Sequence, residues 1–357
     1  MPPVVRSPAV FPAALQGPAA AVETRISDLL GAETERWAAV DPMLVEPLGA
    51  LLEFVANGGK RLRPAFVLTA FGGAGGSAAD PLVVDAAAAV ELVHTFALVH
   101  DDVMDGSPTR RGAPALHRRF ADRHERETWR GESRRYGEGL AILAGDFALV
   151  YADVLMRGAP AVARRVFDEL RIELCVGQSL DLMATAQATT DGAVARRIAV
   201  YKSGKYTVER PLHLGAALAG RLDEMAESLS AVGLPLGRAF QLRDDVLGAF
   251  GETENLGKPV GDDLREGKAT PLLALAYERA GAADREVLGR IGSPELDGET
   301  VTAVRRVIVG TGALEAVEDE ITVLVGEARA AIERTSLTAA ARSDLHDLAG
   351  YVAWRDR

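Results

Sequence analysis

The chain has one cysteine, Cys175, in 357 residues, so no internal disulfide can form, which fits a reducing compartment. Net positive charge is also missing. At a formal charge of −11 the chain is a poor partner for nucleic acid or for an anionic membrane surface. No uninterrupted apolar run approaches the roughly 18 residues that a spanning helix requires, so stable membrane insertion is not expected. The opening "MPPVVRSPAVFPAALQGPAA" lacks the unbroken apolar core of a signal peptide and reads as a loose tail over 1–18. Alternating strand patterns are scarce, with "RRVIVG" (305–310) the one short ambiguous case. "FGGAGGSAAD" (71–80) is glycine-rich but lacks the Gly-Lys-Ser/Thr of a phosphate loop, so it reads as a connection between helices. These absences describe a soluble, cytoplasmic protein, and its 48% hydrophobic content is enough for a large core.

What is present is helical periodicity. In 22–40, Val22, Ile26, Leu29, Leu30, Trp37 and Val40 mark one face before Pro42 and Pro47 interrupt it. Comparable segments follow at about 44–57, 64–71, 81–105, 138–157, 161–187, 192–219, 222–251, 270–280, 297–308, 312–334 and 337–354. Gly and Pro punctuate them. The pattern predicts one all-α domain, a helical bundle over 19–357. One segment breaks it. Residues 118–135, "RRFADRHERETWRGESRR", are dense in charge and weakly periodic, and are expected to be a solvated surface insert. A basic flap over an anionic substrate is the other possibility.

Two acidic clusters stand out. In "ALVHDDVMDGSPTRRG" (97–112), Asp101 and Asp105 share a helix face at i, i+4 with Asp102 beside them. In "FQLRDD" (240–245), Asp244 and Asp245 again end an apolar run. A solvated acidic helix end explains either one alone. Facing each other across a bundle core, such carboxylates would need pairing or a metal. Magnesium suits them, because it takes one or two carboxylates and completes its octahedron with water and phosphate oxygens. Cations are distributed around both clusters. Lys60, Arg61 and Arg63 follow a glycine pair in "NGGKRLRP", and Arg110 and Arg111 follow the first cluster. Lys202 and Lys205 lie in "YKSGKY", and Lys258 and Lys268 bracket a loop after the second cluster. Each is a surface charge by default. As a set they describe separate phosphate positions, some metal-bridged and some held by guanidinium forks.

With "GGKRLRP", "LVHDDVMD…TRRG", "AGD" (144–146), "GQSLD" (177–181), "KSG" (202–204), "FQLRDD" and "GKPVGDDLREGK" (257–268) in that order, the chain resembles the trans-isoprenyl diphosphate synthases. These are the head-to-tail prenyltransferases of the polyprenyl synthetase family, and the resemblance runs from about residue 20 to the end. It implies an all-α fold around a deep central cavity, commonly dimeric. It implies magnesium, three ions per site, held on an allylic diphosphate by Asp101, Asp105 and Asp244, with Asp102 and Asp245 in support. Arg110, Lys202 and Lys258 would hold the same diphosphate. Lys60, Arg63, His94 and Arg111 would hold isopentenyl diphosphate, and Gln178 and Gln241 would line the reacting centre. Lys268 belongs to the anion-binding set by position, and His100 is left as packing. The cations and metal would neutralise the leaving diphosphate so that the allylic C–O bond ionises. The isopentenyl double bond would then attack the carbocation, with no protein nucleophile required.

The second cluster departs from the family pattern. Gly248 stands where a third aspartate is expected, and Asp244, Gly248 and Glu252 approach the spacing of a class I terpene cyclase metal site. A cyclase, or a non-catalytic subunit of a prenyl synthase, is therefore the rival. "GGKRLRP", Arg111 and "GKPVGDDLREGK" argue against a cyclase, which has no isopentenyl diphosphate to bind, and the complete carboxylates and basic residues of the first site argue against an inactive subunit. If Asp244 does most of the binding, Gly248→Asp is expected to change activity only modestly. In the resembled family the residues before the first cluster act as a floor under the growing chain. Phe96 is bulky and Ala97 small, a pattern that implies geranylgeranyl diphosphate as product, with farnesyl or a C25 chain as alternatives.

Overall fold

The computed structural model describes residues 11–12, 16–77, 80–251, 261–293 and 296–355, and these are almost wholly helical. The first half comprises α1 (Gln16–Ala38), α2 (Val45–Ala56), α3 (Leu62–Gly73), α4 (Pro81–Asp105), α5 (Leu116–Arg126), α6 (Ser133–Leu155) and α7 (Ala161–Ala186). A two-stranded hairpin, β1 (Thr109–Arg110) and β2 (Ala113–Pro114), joins α4 to α5. Next come α8 (Gly192–Ile198), a π-helical segment (Ala199–Glu209), α9 (Arg210–Leu218) and α10 (Leu222–Phe250). The chain closes with α11 (Asp262–Glu266), α12 (Pro271–Arg279), α13 (Ala282–Leu288), α14 (Gly298–Gly310), α15 (Ala313–Ile332) and α16 (Ala339–Trp354).

Local chemistry sets the boundaries that carry the site. Asp80 caps α4 by accepting from the Leu82 N–H, and Pro81 fills the first helical position, where its missing N–H costs nothing. Thr270 and Pro271 repeat the device at α12. The α4 run Ala86–Ala89 is buried, and its small side chains let α1, α3 and α6 close around it. Val22, Ile26 and Leu30 of α1 join that half of the core. The other half forms around α10, with Leu229, Val232 and Leu236 packed among residues of α15 and α16. The two helices that carry the acidic clusters are thus each the axis of one half of the core. Much of their apolar length goes into packing, and the C-terminal part of each, from Glu91 on α4 and from Phe240 on α10, lines a cavity.

Four expectations need correction. α4 and the stretch Ser133–Gly158 are long and apolar enough to cross a membrane by length and composition. The interrupting charges of α4, Asp85 and Glu91, are ion-paired to Arg25 and Arg61, each at 2.6 Å. α1 begins inside the expected tail, at Gln16, and Phe11 packs edge-on against Tyr351 with ring centroids 5.5 Å apart. The stretch 192–219 is not one α-helix but is interrupted by the π segment. The charged stretch 118–135 is not a solvated excursion, because most of it forms α5 and the start of α6. α5 buries Leu116, His117, Phe120, Ala121 and His124, while Arg119 and Arg123 pair with Glu53 and Glu46 of α2. Its apolar stripe escapes notice in the sequence because histidines fill two of its positions. "RRVIVG" is helical, within α14.

Phe120→Ala should therefore lower stability by roughly 3–5 kcal/mol, the scale for emptying a fully buried aromatic site. Arg126→Ala on the exposed face of α5 should change it by less than about 0.5 kcal/mol. Chemical denaturation of the two variants distinguishes a packed helix from surface decoration, for which both would be neutral.

Candidate active site

A cavity of about 1140 Å³ opens between α3, α4, α7, the π segment and α10. The end of α4 brings Asp101 to its lining, with Asp102 and Asp105 beside it but not among the lining residues. Gly106 ends that helix in the left-handed conformation (φ 66°), and the hairpin turns back through Arg111 (φ 53°) and Gly112 (φ 77°). This reversal returns Arg110 to α4. Its Nε donates to Asp102 Oδ1 at 2.8 Å, and its Nη2 lies 3.4 Å from Asp101 Oδ2. Asp102 is fully buried, so Arg110 is the counter-charge that makes its position tolerable. Burial works against the Arg110 charge, but Asp102 outweighs it and holds the guanidinium firmly protonated.

Asp101 gathers donors from remote parts of the chain. Gln178 Nε2 of α7 donates to its Oδ1 at 3.0 Å, and Lys202 Nζ of the π segment lies 3.1 Å from the same atom. Lys202 also reaches Asp181, one turn past Gln178, at 2.5 Å. This convergence depends on Gly177, where a Cβ would lie 2.1 Å from the backbone nitrogen of Lys202. Only a glycine lets α7 and the π segment approach so closely, and π-helical turns recur at functional sites. Burial would raise the Asp101 carboxyl, but Lys202, Lys268 and Arg110 overcome it and hold the group ionised. Asp105 behaves oppositely. Burial, reinforced by Asp101 and Glu266, pushes it up to about 6 despite Lys268 at 3.1 Å. Negative charge at this wall exceeds what the basic side chains neutralise.

On α10, Gln241 Nε2 donates to Asp245 Oδ1 at 2.7 Å, and Asp245 is buried with its carboxyl raised well above normal, by burial first. Asp244 faces the cavity and is bound by Arg355, which also stacks over Phe240 at 4.3 Å. Among the described residues no three His, Cys, Asp or Glu side chains form a ready-made metal cage. The donor set nonetheless fits magnesium, which needs only one or two carboxylates from the protein. The carboxylates come from two helices on one cavity, Asp101 from α4 and Asp244 and Asp245 from α10, and Asp245 keeps an Oδ2 without a hydrogen-bond partner among the described residues. Lys258 and Glu252 lie outside the described residues.

The other wall is basic. Arg63 donates to Thr207 Oγ1 at 2.9 Å and stacks over Tyr206 at 4.2 Å, and Arg111 donates to the Phe54 carbonyl at 3.3 Å. Among the described residues neither forms an ion pair. His94 shares a 2.6 Å hydrogen bond with the Tyr206 hydroxyl. Burial, then Arg63 and Arg111, drives its pKa well down, so it faces the cavity as neutral imidazole. Lys60 lies beside them, 5.9 Å from the Tyr351 ring. At Gly59 (φ 152°) a Cβ would meet the Arg61 and Arg111 guanidiniums at 2.7 and 3.1 Å, so the glycine lets these groups crowd together. Arg61 takes a different part. Its left-handed backbone (φ 48°) turns it inward to Glu91 at 2.6 Å and Glu23 at 3.0 Å, where it holds α1, α3 and α4 together.

Deeper, the cavity becomes apolar. Ala97, Leu174 and Ile198 line it, each about one helical turn before a polar residue of the rim, Asp101, Gln178 and Lys202 respectively. Phe96 corrects the expectation of an aromatic floor. It stands about 100° around α4 from Ala97, packs on His100 with centroids 4.7 Å apart, and is not among the cavity-lining residues. His100 hydrogen-bonds the Ile142 carbonyl, in keeping with a packing role. Lys205 is engaged by Glu173 and leaves the site. Sequence reading gave no role to Asp181, Tyr206, Asp263 or Arg355. Asp181, Tyr206 and Asp263 carried a signal as members of "GQSLD", "YKSGKY" and "GKPVGDDLREGK", and Arg355 carried none.

The model of the polyprenyl synthetase family matches residues 45–308. A geranylfarnesyl diphosphate synthase of Aeropyrum pernix is 34% identical over 310 residues, covering 84% of this chain and 91% of that protein. A geranylgeranyl diphosphate synthase of Methanosarcina mazei is 37% identical over 258 residues, covering 70% and 72%. The crystal structure of geranylgeranyl pyrophosphate synthase from Corynebacterium glutamicum, complexed with isoprenyl diphosphate and magnesium, superposes with a TM-score of 0.89 at 36% identity. That superposition covers 94% of this chain and 97% of the other. With this fold, its paired aspartates and its basic wall, the chain belongs to the polyprenyl synthetase family of prenyl-transferring enzymes.

Proposed function

We propose that this enzyme condenses isopentenyl diphosphate with an allylic diphosphate to form geranylgeranyl diphosphate. The observation that carries the condensation is the presence of two different anion-recognising walls in one cavity, while the C20 length rests on the small Ala97 in the lining and on the geranylgeranyl diphosphate synthases among the similar proteins. One mixes aspartates with Arg110, Lys202 and Lys268, and suits a metal-bridged diphosphate. The other offers Arg63 and Arg111 with neutral His94, and suits a diphosphate held by side chains alone. A cyclase consumes a single diphosphate and would leave the second wall without a task.

Asp101, Asp105 and Asp244 would hold magnesium, which supplies Lewis-acid stabilisation of the departing diphosphate. Arg110 and Lys202 already stand at these carboxylates and are positioned to share the phosphate oxygens. Lys60, Arg63 and Arg111 hold the second diphosphate so that its double bond faces the allylic carbon. His94, kept neutral, adds a hydrogen bond without another charge. The carboxamides of Gln178 and Gln241 offer dipoles near the developing cation, and no side chain there is a ready nucleophile. The departing diphosphate takes the proton lost after coupling. Incubating pure protein with magnesium and both diphosphates tests the reading, since a cyclised product or no product would overturn it.

A homodimer is part of the proposal. Ile142, Leu143 and Val150 of α6 and Ile172, Val176 and Met183 of α7 are exposed apolar residues that a second copy would cover. Light scattering should give twice the chain mass for the native protein and a reduced mass for Ile172→Asp/Val176→Asp. A native monomer would refute it.

Asp101→Ala should reduce kcat by about 10²-fold or more, the scale of losing one strong electrostatic contact. The fold should survive, because Lys202 keeps Asp181 and Arg110 keeps Asp102. Turnover within tenfold of the native enzyme would remove Asp101 from the chemistry. For product length, Ala97→Phe should shorten the chain towards C15, whereas Phe96→Ala, away from the cavity lining, should leave it near C20. Chromatography of the dephosphorylated products reads both.

A further inference from the structure

The π segment Ala199–Glu209 serves both walls of the cavity. Lys202 meets Asp101, and further along Tyr206 shares a 2.6 Å hydrogen bond with His94. Thr207, fully buried, accepts from Arg63 at 2.9 Å. The first part of the segment is fixed against α7 at Gly177 and through the pairing of Lys202 with Asp181. The last turn is held differently. The Arg210 N–H donates to the Lys205 carbonyl, five residues back, which is the bond of a π turn. The side chains of the same two residues converge on one carboxylate of α7. Arg210 forks onto Glu173, from Nε to Oε2 at 2.6 Å and from Nη2 to Oε1 at 2.7 Å, and Lys205 Nζ binds the same Oε1. On an α-helix, residues five apart point about 140° away from each other. The wider π turn brings them to one side, so Glu173 can hold both only in the π register. Glu173 is 6% exposed, and burial, which alone would raise its carboxyl, is overcome by Arg210 and Lys205.

We propose that Glu173 is a positioning residue for the basic wall, acting through the π register of the two residues that lie between its partners. It does not line the cavity itself. By clamping Lys205 and Arg210 it fixes Tyr206 and Thr207, and these aim His94 and Arg63. Arg63 forms no ion pair among the described residues, and its Nε has no hydrogen-bond partner there, so Thr207 and the Tyr206 ring set its direction. A slip of the last turn towards the α register would carry the Thr207 hydroxyl away from the guanidinium. Lys202 would stay in place, because Gly177 and Asp181 hold it independently of Glu173. The consequence is selective: binding of the diphosphate at the basic wall weakens, and the one at the aspartates is spared. The inference rests on the reading of the basic wall as the isopentenyl diphosphate site.

The test is steady-state kinetics of the full-length enzyme with each diphosphate varied in turn. Glu173→Gln should raise KM for isopentenyl diphosphate about tenfold, the scale of one hydrogen bond to a charged group, with kcat and the allylic KM within about twofold of native. Thr207→Val removes the acceptor itself and should raise the same KM. The double variant should be no more than about twofold worse than the poorer single, because both changes act on one contact. Arg210→Lys keeps the charge but gives up the fork, so it should show the same selectivity to a smaller degree, and it carries the test if Glu173→Gln does not fold. Equal rises in both KM values, a rise in neither, or a double variant whose effect is the product of the singles overturns the inference. Failure of the underlying reading appears instead in the native enzyme, which would make no elongated product from the two diphosphates.

Discussion

Carboxylates at the end of a buried helix repel one another and pay for lost water, so each must be met by positive charge drawn from elsewhere in the chain. Much of the architecture around the cavity is a set of devices for delivering that charge. The hairpin after α4 exists as a reversal that brings Arg110 to Asp102. The π segment brings Lys202 to Asp101, and the turn that follows α11 brings Lys268 to Asp105. These cations come from three separate parts of the sequence, so the site assembles only when the bundle does. Neutralisation is also incomplete, because Arg110, Lys202 and Lys268 are shared among Asp101, Asp102, Asp105, Asp181, Asp263 and Glu266, and the remaining negative charge makes the wall receptive to a metal.

The opposite wall has the reverse imbalance. Arg63 and Arg111 stand close together and close to His94, with carbonyl, hydroxyl and aromatic partners in place of carboxylates. Mutual repulsion is tolerated because cation–π contacts with Tyr206 and Phe54 offset part of it. A surplus of negative charge on one side of a cavity and of positive charge on the other orients any ligand carrying both diphosphate and metal before chemistry begins. That polarity separates the two anion positions more clearly than the number of basic residues does.

The fold was legible where helical period and packing agree. α4, α10 and the terminal helices follow their apolar stripes nearly to the residue. α5 was missed because His117 and His124 occupy buried positions that an apolar count skips. The π segment was missed because a change of hydrogen-bond register leaves the residue types unchanged. At the site, the aspartates and their cations were readable from order and spacing, but rotation about a helix axis was not. Phe96 and Ala97 are neighbours in sequence, and one faces His100 while the other faces the cavity. In "KRLRP", a single left-handed residue sends Arg61 into the core and leaves Lys60 and Arg63 at the cavity wall. At Gly248, where the family pattern has an aspartate, the Asp263 carboxylate of another helix lies close by, a neighbour that spacing along the chain does not reveal.

The close approach at Gly177 limits how this cavity can be redesigned. Leu174 and Gln178 on the same helix both face the cavity, but only Leu174 suits diversification, because Gln178 holds Asp101. The glycine between them is a spacer whose width is set by a neighbouring backbone, not by any substrate. A library that randomises the whole α7 wall would spend most of its members on side chains that displace Lys202. One that fixes residue 177 keeps the catalytic rim in register while the tunnel beneath it is reshaped.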